Sequence, residues 1–185
     1  SIERRLGHLA QLIEQAFPQD AIPVTAHARD DASSFEEEGA VGLVEVVQDA
    51  AETWSDALLF LDDAHRSAAE SPYEDPERVR AVFERMAGVA RRRLEGSLGT
   101  SLRDAFADFG IDYRAAIARS TSARLRRQYR FTHGSGTFEA EEHIVLGNTY
   151  DPRRCLRIYF TSRLPNEPRF VIGHVGRHFD VMTAT

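Results

Sequence analysis

The chain has 185 residues, 42% hydrophobic and 28% charged, with a net charge of −6 and a pI near 5.6, a globular balance that excludes disorder throughout. Its one cysteine, Cys155, excludes an internal disulfide framework and any metal motif built on several thiolates. No apolar run approaches the roughly 18 residues of a membrane span, and Ser1-Ile2-Glu3-Arg4-Arg5 lacks the apolar core of a signal peptide, so a cytoplasmic chain without membrane contact is expected.

Ile2, Leu6, Leu9, Ile13 and Phe17 recur at three- and four-residue spacing, which predicts an amphipathic helix ending before Pro18. Residues 18–33 carry two prolines and no periodicity and read as a loop in which His27 is solvated. Ser34 and Glu37 form a capping box, after which the apolar stripe predicts one long helix to Ser71-Pro72. Asp75-Pro76 opens a further helix, with proline at a position whose N–H is unpaired anyway. The segments 36–70 and 76–94 are therefore expected as an antiparallel helical pair holding Trp54, Leu58, Leu61, Val82, Phe83 and Met86 between them. A shorter helix runs from Ser101 through Phe106 to a C-terminal cap at Gly110.

From about Thr121 the pattern changes. Leu125 to Thr132, Phe138 to Leu146, Cys155 to Thr161 and Phe170 to Phe179 are runs of strand length, rich in β-branched and aromatic residues. Gly134-Ser135-Gly136 between them reads as a hairpin turn, and short polar turns favour antiparallel pairing. The expected fold is α+β: an N-terminal helical hairpin and helices, then a C-terminal antiparallel sheet of about four strands. Two regions, 1–110 and 111–185, are expected to pack as one unit. The helical region is expected to offer a surface for a homodimer or a larger complex.

Charge divides along the same boundary. Residues 1–110 hold 11 Arg and 22 acids, net −11, and residues 111–185 hold 12 Arg and 7 acids, net +5. All 23 basic residues are arginine, as codon bias in a GC-rich genome would give. Arg114, Arg119, Arg124, Arg126, Arg127 and Arg130 fall within 17 residues, among Tyr113, Tyr129 and Phe131. Guanidinium on phosphate and rings for stacking suit single-stranded RNA. Arg124, Arg126, Arg127, Arg130 and Tyr129 are the expected nucleic-acid contacts, joined by Arg153 and Arg154 at the Asp151-Pro152 turn.

Four of seven histidines lie between 133 and 178. His174 and His178 on a regular strand would share a face about 13 Å apart, too far for one metal ion unless Gly173 and Gly176 bend the strand. Neither a metal nor another cofactor is expected. Cleavage of RNA by its own 2′-hydroxyl needs a base, an acid and a cation, and no metal; His143, His174 and His178 with Arg157 and Arg177 are the candidate set. Glu139, Glu141 and Glu142 do not make a metal-dependent nuclease core, since the Glu-x-Lys part is impossible without lysine. Walker, dinucleotide and nucleophile-elbow patterns are absent.

The segment Cys155-Leu156-Arg157-Ile158-Tyr159-Phe160, followed by Phe170-Val171-Ile172-Gly173-His174-Val175-Gly176-Arg177-His178, resembles the last strands of RelE/ParE-type toxin sheets. It also resembles C-terminal segments of uncharacterised bacterial proteins from phage-defence contexts. The toxins are small bacterial α+β proteins, many of which cleave ribosome-bound mRNA without metal. The likeness implies a nucleic-acid-directed effector, a metal-independent ribonuclease of a toxin or antiviral defence system. It carries over no catalytic residue, and the long acidic helices depart from the compact toxin plan. The alternative is a non-catalytic module that binds nucleic acid or protein and oligomerises through its helices.

Overall fold

The computed structural model describes residues 41–118 and 121–179. The expected helix over 2–17, the loop with His27, the Ser34 capping box and Arg119 lie outside these. The order of elements is α1 (Leu43–Thr53), β1 (Leu58–Phe60), α2 (Asp62–Ala69), α3 (Pro76–Leu94), α4 (Leu102–Ala107), β2 (Asp112–Arg114), α5 (Ala123–Arg126), a 3-10 turn (Arg127–Tyr129), β3 (Arg130–His133), β4 (Gly136–Glu139), β5 (Glu142–Leu146), β6 (Leu156–Thr161) and β7 (Phe170–Gly176). The α+β class holds, with a mostly antiparallel sheet. It has five strands in the order β1-β7-β6-β5-β2, and β3 with β4 forms a separate hairpin.

The expected helix over 36–70 is broken. After α1 the chain turns at Trp54, and Leu58, Leu59 and Phe60 pair in parallel with Phe170, Val171 and Ile172. The spacing of Trp54, Leu58 and Leu61 imitated a helical stripe, but the continuous run Leu58-Leu59-Phe60-Leu61 suits an element buried on both faces. Leu58 faces the helices and Leu61 joins the cluster on the opposite side of the sheet. Asp62 and Asp63 then stabilise the first turn of α2 through the helix dipole. Because β1 is short, the rest of the β7 edge is satisfied by α2, whose Ser67 hydroxyl accepts from the Val175 N–H at 2.9 Å.

The start of α3 is as the sequence predicts, with the Asp75 carboxylate accepting from the Arg78 N–H at 3.1 Å and Pro76 behind it. Ser101 caps α4 in the same way. The apolar faces of α1 and α3 are spent on the sheet. Val46, Val47 and Ala50 meet Val82, Phe83 and Met86 above Leu156, Ile158 and Phe160. Val41, just before α1, and Leu94, at the end of α3, are left as exposed large apolar residues.

The run Leu125 to Thr132 is not one strand. Ser122 accepts from the Leu125 N–H and starts a helical turn, and strand geometry begins only at Arg130. Phe138 to Leu146 is likewise split at Ala140, whose N–H leaves the hairpin and donates to the Tyr129 carbonyl at 2.8 Å. The hairpin turn at Gly134 is as predicted, with φ of 59°. The edge strand β2 has only Tyr113 buried, too short a signal to read from sequence.

The hairpin and the turn before it cover the face of the sheet opposite the helices, where Tyr129, Phe131, Ala140, Tyr159 and Val171 form a second cluster. A bulge in β7 makes this fit. Tyr159 pairs with His174, Phe160 with Ile172, and Gly173 is left over. The shift puts Ile172 and Val175 on the helix side and Val171 in the second cluster. A Cβ on Gly173 would lie 2.6 Å from the Phe131 ring. Gly173→Ala is expected to cost about 2 kcal/mol as overpacking, and Phe131→Ala is expected to abolish that cost. A double-mutant cycle by urea denaturation measures it; an equal penalty in both backgrounds would refute the role given to Gly173.

Candidate nucleic-acid interface

Strand pairing lines up Arg114, His143, Tyr159 and His174 in one row across β2, β5, β6 and β7. The next row, toward the end of the sheet, is Asp112, Val145, Arg157 and Gly176. Both rows lie on the face away from the helices. The ring of Tyr159 is the hub of the first. Its centroid is 5.0 Å from His143, 5.8 Å from His174 and 6.4 Å from His178, and Phe179 stacks on it at 4.9 Å. The three histidines expected to act together are therefore gathered around one ring.

Their environment limits what they can do. His143 and His174 are buried. His143 donates from Nδ1 to the Glu141 carbonyl at 3.0 Å, and His174 donates from Nε2 to the Arg177 carbonyl at 2.9 Å. Burial pushes the His174 imidazole down to about 4, against the backbone hydrogen bond that pulls the other way. Burial also lowers His143, helped by the charges of Arg114 and Arg157. Both are neutral near pH 7, each with one nitrogen spent on a carbonyl, so neither is a proton donor of useful strength there. His178 is half-buried, its Nδ1 bonded to the Phe179 carbonyl.

The five expected catalytic residues divide between sites. His174, Arg177 and His178 line a cleft of about 320 Å³ together with Arg66 of α2 and Glu70 at its C-terminal cap. Arg157 lines a different cleft of about 560 Å³, and His143 is in the wall of neither. The expected nucleic-acid contacts divide too. Tyr129 is buried at 4% exposure, packed edge-on against Tyr159, so its ring offers no stacking surface. Arg126 is paired with Glu139 and Glu141, and Arg130 with Glu139, because β3–β4 pairing sets Arg130 opposite Glu139. Arg153 is held by Asp151 and Glu74. Arg124, Arg127 and Arg154 are exposed, with no ion pair among the described residues.

The larger cleft gathers charge that the sequence scattered. Arg78 and Arg85 come from α3, Arg114 from β2 and Arg157 from β6, against the single carboxylate of Asp112, a lining charge of +3. Its floor is apolar, made by Val82, Ile111, Val145 and Leu146. Phe109, 41% exposed, lies at its side with the Arg85 guanidinium 5.1 Å from the ring centroid. All the hydrogen bonds of Arg157 run through Nη1, to the carbonyls of Leu146, Gly147 and Leu156 and the Cys155 sulfur. Nε and Nη2 have no protein acceptor among the described residues. Arg114 is bound to Asp112 at 3.1 Å. The loop that borders the cleft at Gly147 and Asn148 also carries Tyr150, fully exposed, and Arg153 and Arg154.

Arg78, Arg85 and Phe109 were missed in the sequence. Seven-residue spacing of the two arginines, two turns along one helical stripe, was the available signal. A further buried polar group, Glu142, is fully committed to structure: it accepts from the Tyr113 hydroxyl at 2.7 Å and from the Ser162 amide and hydroxyl at 2.6 and 3.0 Å. Among the described residues no three His, Cys, Asp or Glu are grouped to hold a metal ion, and no helix is long and apolar enough to cross a membrane.

No family model, curated protein or solved structure matches this chain.

The depressed His174 sets a pH dependence. An imidazole whose folded pKa lies below its unfolded value of 6.5 keeps its full stability above 6.5 and loses it as pH falls toward 4, since only the unfolded chain takes the proton. Between pH 7 and pH 5 the loss is expected to be about 2 kcal/mol, read from urea midpoints. His174→Gln should reduce that dependence, leaving the part that the likewise depressed His143 contributes. A wild-type stability constant over this interval would show the imidazole to be free to protonate in the fold.

Proposed function

We propose that this chain binds single-stranded nucleic acid as a non-catalytic module, with the arginine cleft as the seat of the phosphate backbone. The observation that carries the reading is the gathering of Arg78, Arg85, Arg114 and Arg157, from three distant parts of the chain, about one apolar-floored cleft. Guanidinium forks match phosphate oxygens. Phe109 is an exposed ring in the same lining and Tyr150 an exposed ring on the loop that borders it, and stacking of unpaired bases on such rings is the sequence-tolerant part of single-strand binding. Arginines scattered as solvated charges would need neither the common cleft nor the apolar floor. The preference for RNA follows from the likeness of residues 155–178 to RelE/ParE-type toxin strands, as does the bacterial toxin or defence setting.

One observation favours the ribonuclease reading: His174, His178 and Arg177 share the smaller cleft. In it His174 is held neutral with Nε2 spent on the Arg177 carbonyl, and His143 lies outside that cleft. The binding reading is therefore preferred.

Fluorescence anisotropy with labelled single-stranded RNA, across a salt series, tests the proposal. Changing Arg78, Arg85 and Arg114 together to glutamine should weaken binding at least tenfold and reduce the slope of log K against log salt by about 2, since each lost phosphate contact on a single strand removes roughly 0.7. Unchanged affinity and slope in the folded variant would overturn the cleft assignment. Cleavage of the RNA that persists in EDTA and is lost in His178→Ala would replace the binding reading with the enzymatic one.

A further inference from the structure

Resting on the reading above, we propose that a bound strand runs on from the arginine cleft across the ends of β5, β6 and β7 into the smaller cleft, so that the interface takes about four nucleotides rather than one. Both clefts take residues from the same end of the sheet. Antiparallel pairing brings the end of β5 at Leu146, the start of β6 at Leu156 and the end of β7 at Gly176 together. Arg157 of the first cleft is the direct partner of Gly176, and the next residue, Arg177, belongs to the second. From Arg114 on β2 to Arg177 beyond β7 is three strand spacings, roughly 14 Å. This span, with a cavity at each end, matches the lower end of the site sizes of small single-strand binders, roughly 4–16 nucleotides.

The second cleft differs from the first in being mixed in charge, and that difference makes the track testable. Asp63 is occupied by Arg66 at 2.6 Å, and Arg130 by Glu139 at 3.1 Å. Arg177 is exposed and has no ion pair among the described residues, so it is the cation left for a phosphate. Glu70 lies in the same wall and opposes an anion there. Phe179, half-buried in that lining and stacked on Tyr159, gives a base an apolar surface beside the phosphate.

Oligouridylates of two, four and six nucleotides, compared by anisotropy competition, read the track directly. Affinity is expected to rise at least tenfold from two to four nucleotides and little from four to six. In Arg177→Gln the ratio of tetranucleotide to dinucleotide affinity should fall toward one. The Arg177 carbonyl, which holds His174, is unaffected by that change. Glu70→Gln should raise the same ratio by removing the opposing charge. Equal affinity for two and four nucleotides, or a ratio indifferent to both substitutions, overturns the track while leaving the arginine cleft standing. Loss of all binding, with no response to the cleft arginines, is instead the failure of the proposed function itself.

Discussion

The ring of Phe131 lies on the backbone of Gly173, where any Cβ would come within 2.6 Å of it. That approach lets the β3–β4 hairpin close over the second face of the sheet, and the closure decides what the face can do. Tyr129 and Tyr159 are sealed beneath it, and burial raises the phenol pKa of both. His143 and His174, which share the face, become packing elements with neutral rings. A sheet that is open on one side could read bases with its own aromatic residues, but this one is covered on both. At the strand ends the sheet presents arginine rather than aromatic side chains: Arg114 of β2, Arg157 of β6 and Arg177 just beyond β7.

Charge in space does not follow charge along the chain. Two of the four cleft arginines, Arg78 and Arg85, come from the half with net charge −11, and two from the half with +5. Helix α3 faces both ways: Arg80 and Arg91 pair with Asp49 and Asp56 near α1, while Arg78 and Arg85 turn to the cleft. Exposed ion pairs of this kind contribute roughly 0–1 kcal/mol each, so they hold little of the fold. Their effect is on the field, since they neutralise carboxylates on the α1 side of α3.

Features set by local chemistry were legible in the sequence. Asp75-Pro76, Ser101 and the Gly134 turn are caps and turns whose causes lie within a few residues, and β6 and β7 are long enough for composition to mark them. Features set by distant partners were not. Trp54, Leu58 and Leu61 keep helical spacing across a break that exists because Phe170 to Ile172 offers β1 a partner. Arg126 and Arg130 look like free cations until strand pairing brings up Glu139. Of the candidate site, Arg157 was legible as a cation on a strand, and Arg177 as one beside glycines. The cleft between α3 and the sheet edge needed the packing of both.

Amide chemical-shift mapping of the labelled protein with a short single-stranded RNA tests the location of the interface most directly. The account predicts that shifts concentrate on 78–85, 109–114, 145–148, 157 and 176–178, along the strand ends. Shifts confined to 122–127 on the outer helix, or none at saturating RNA, would contradict it.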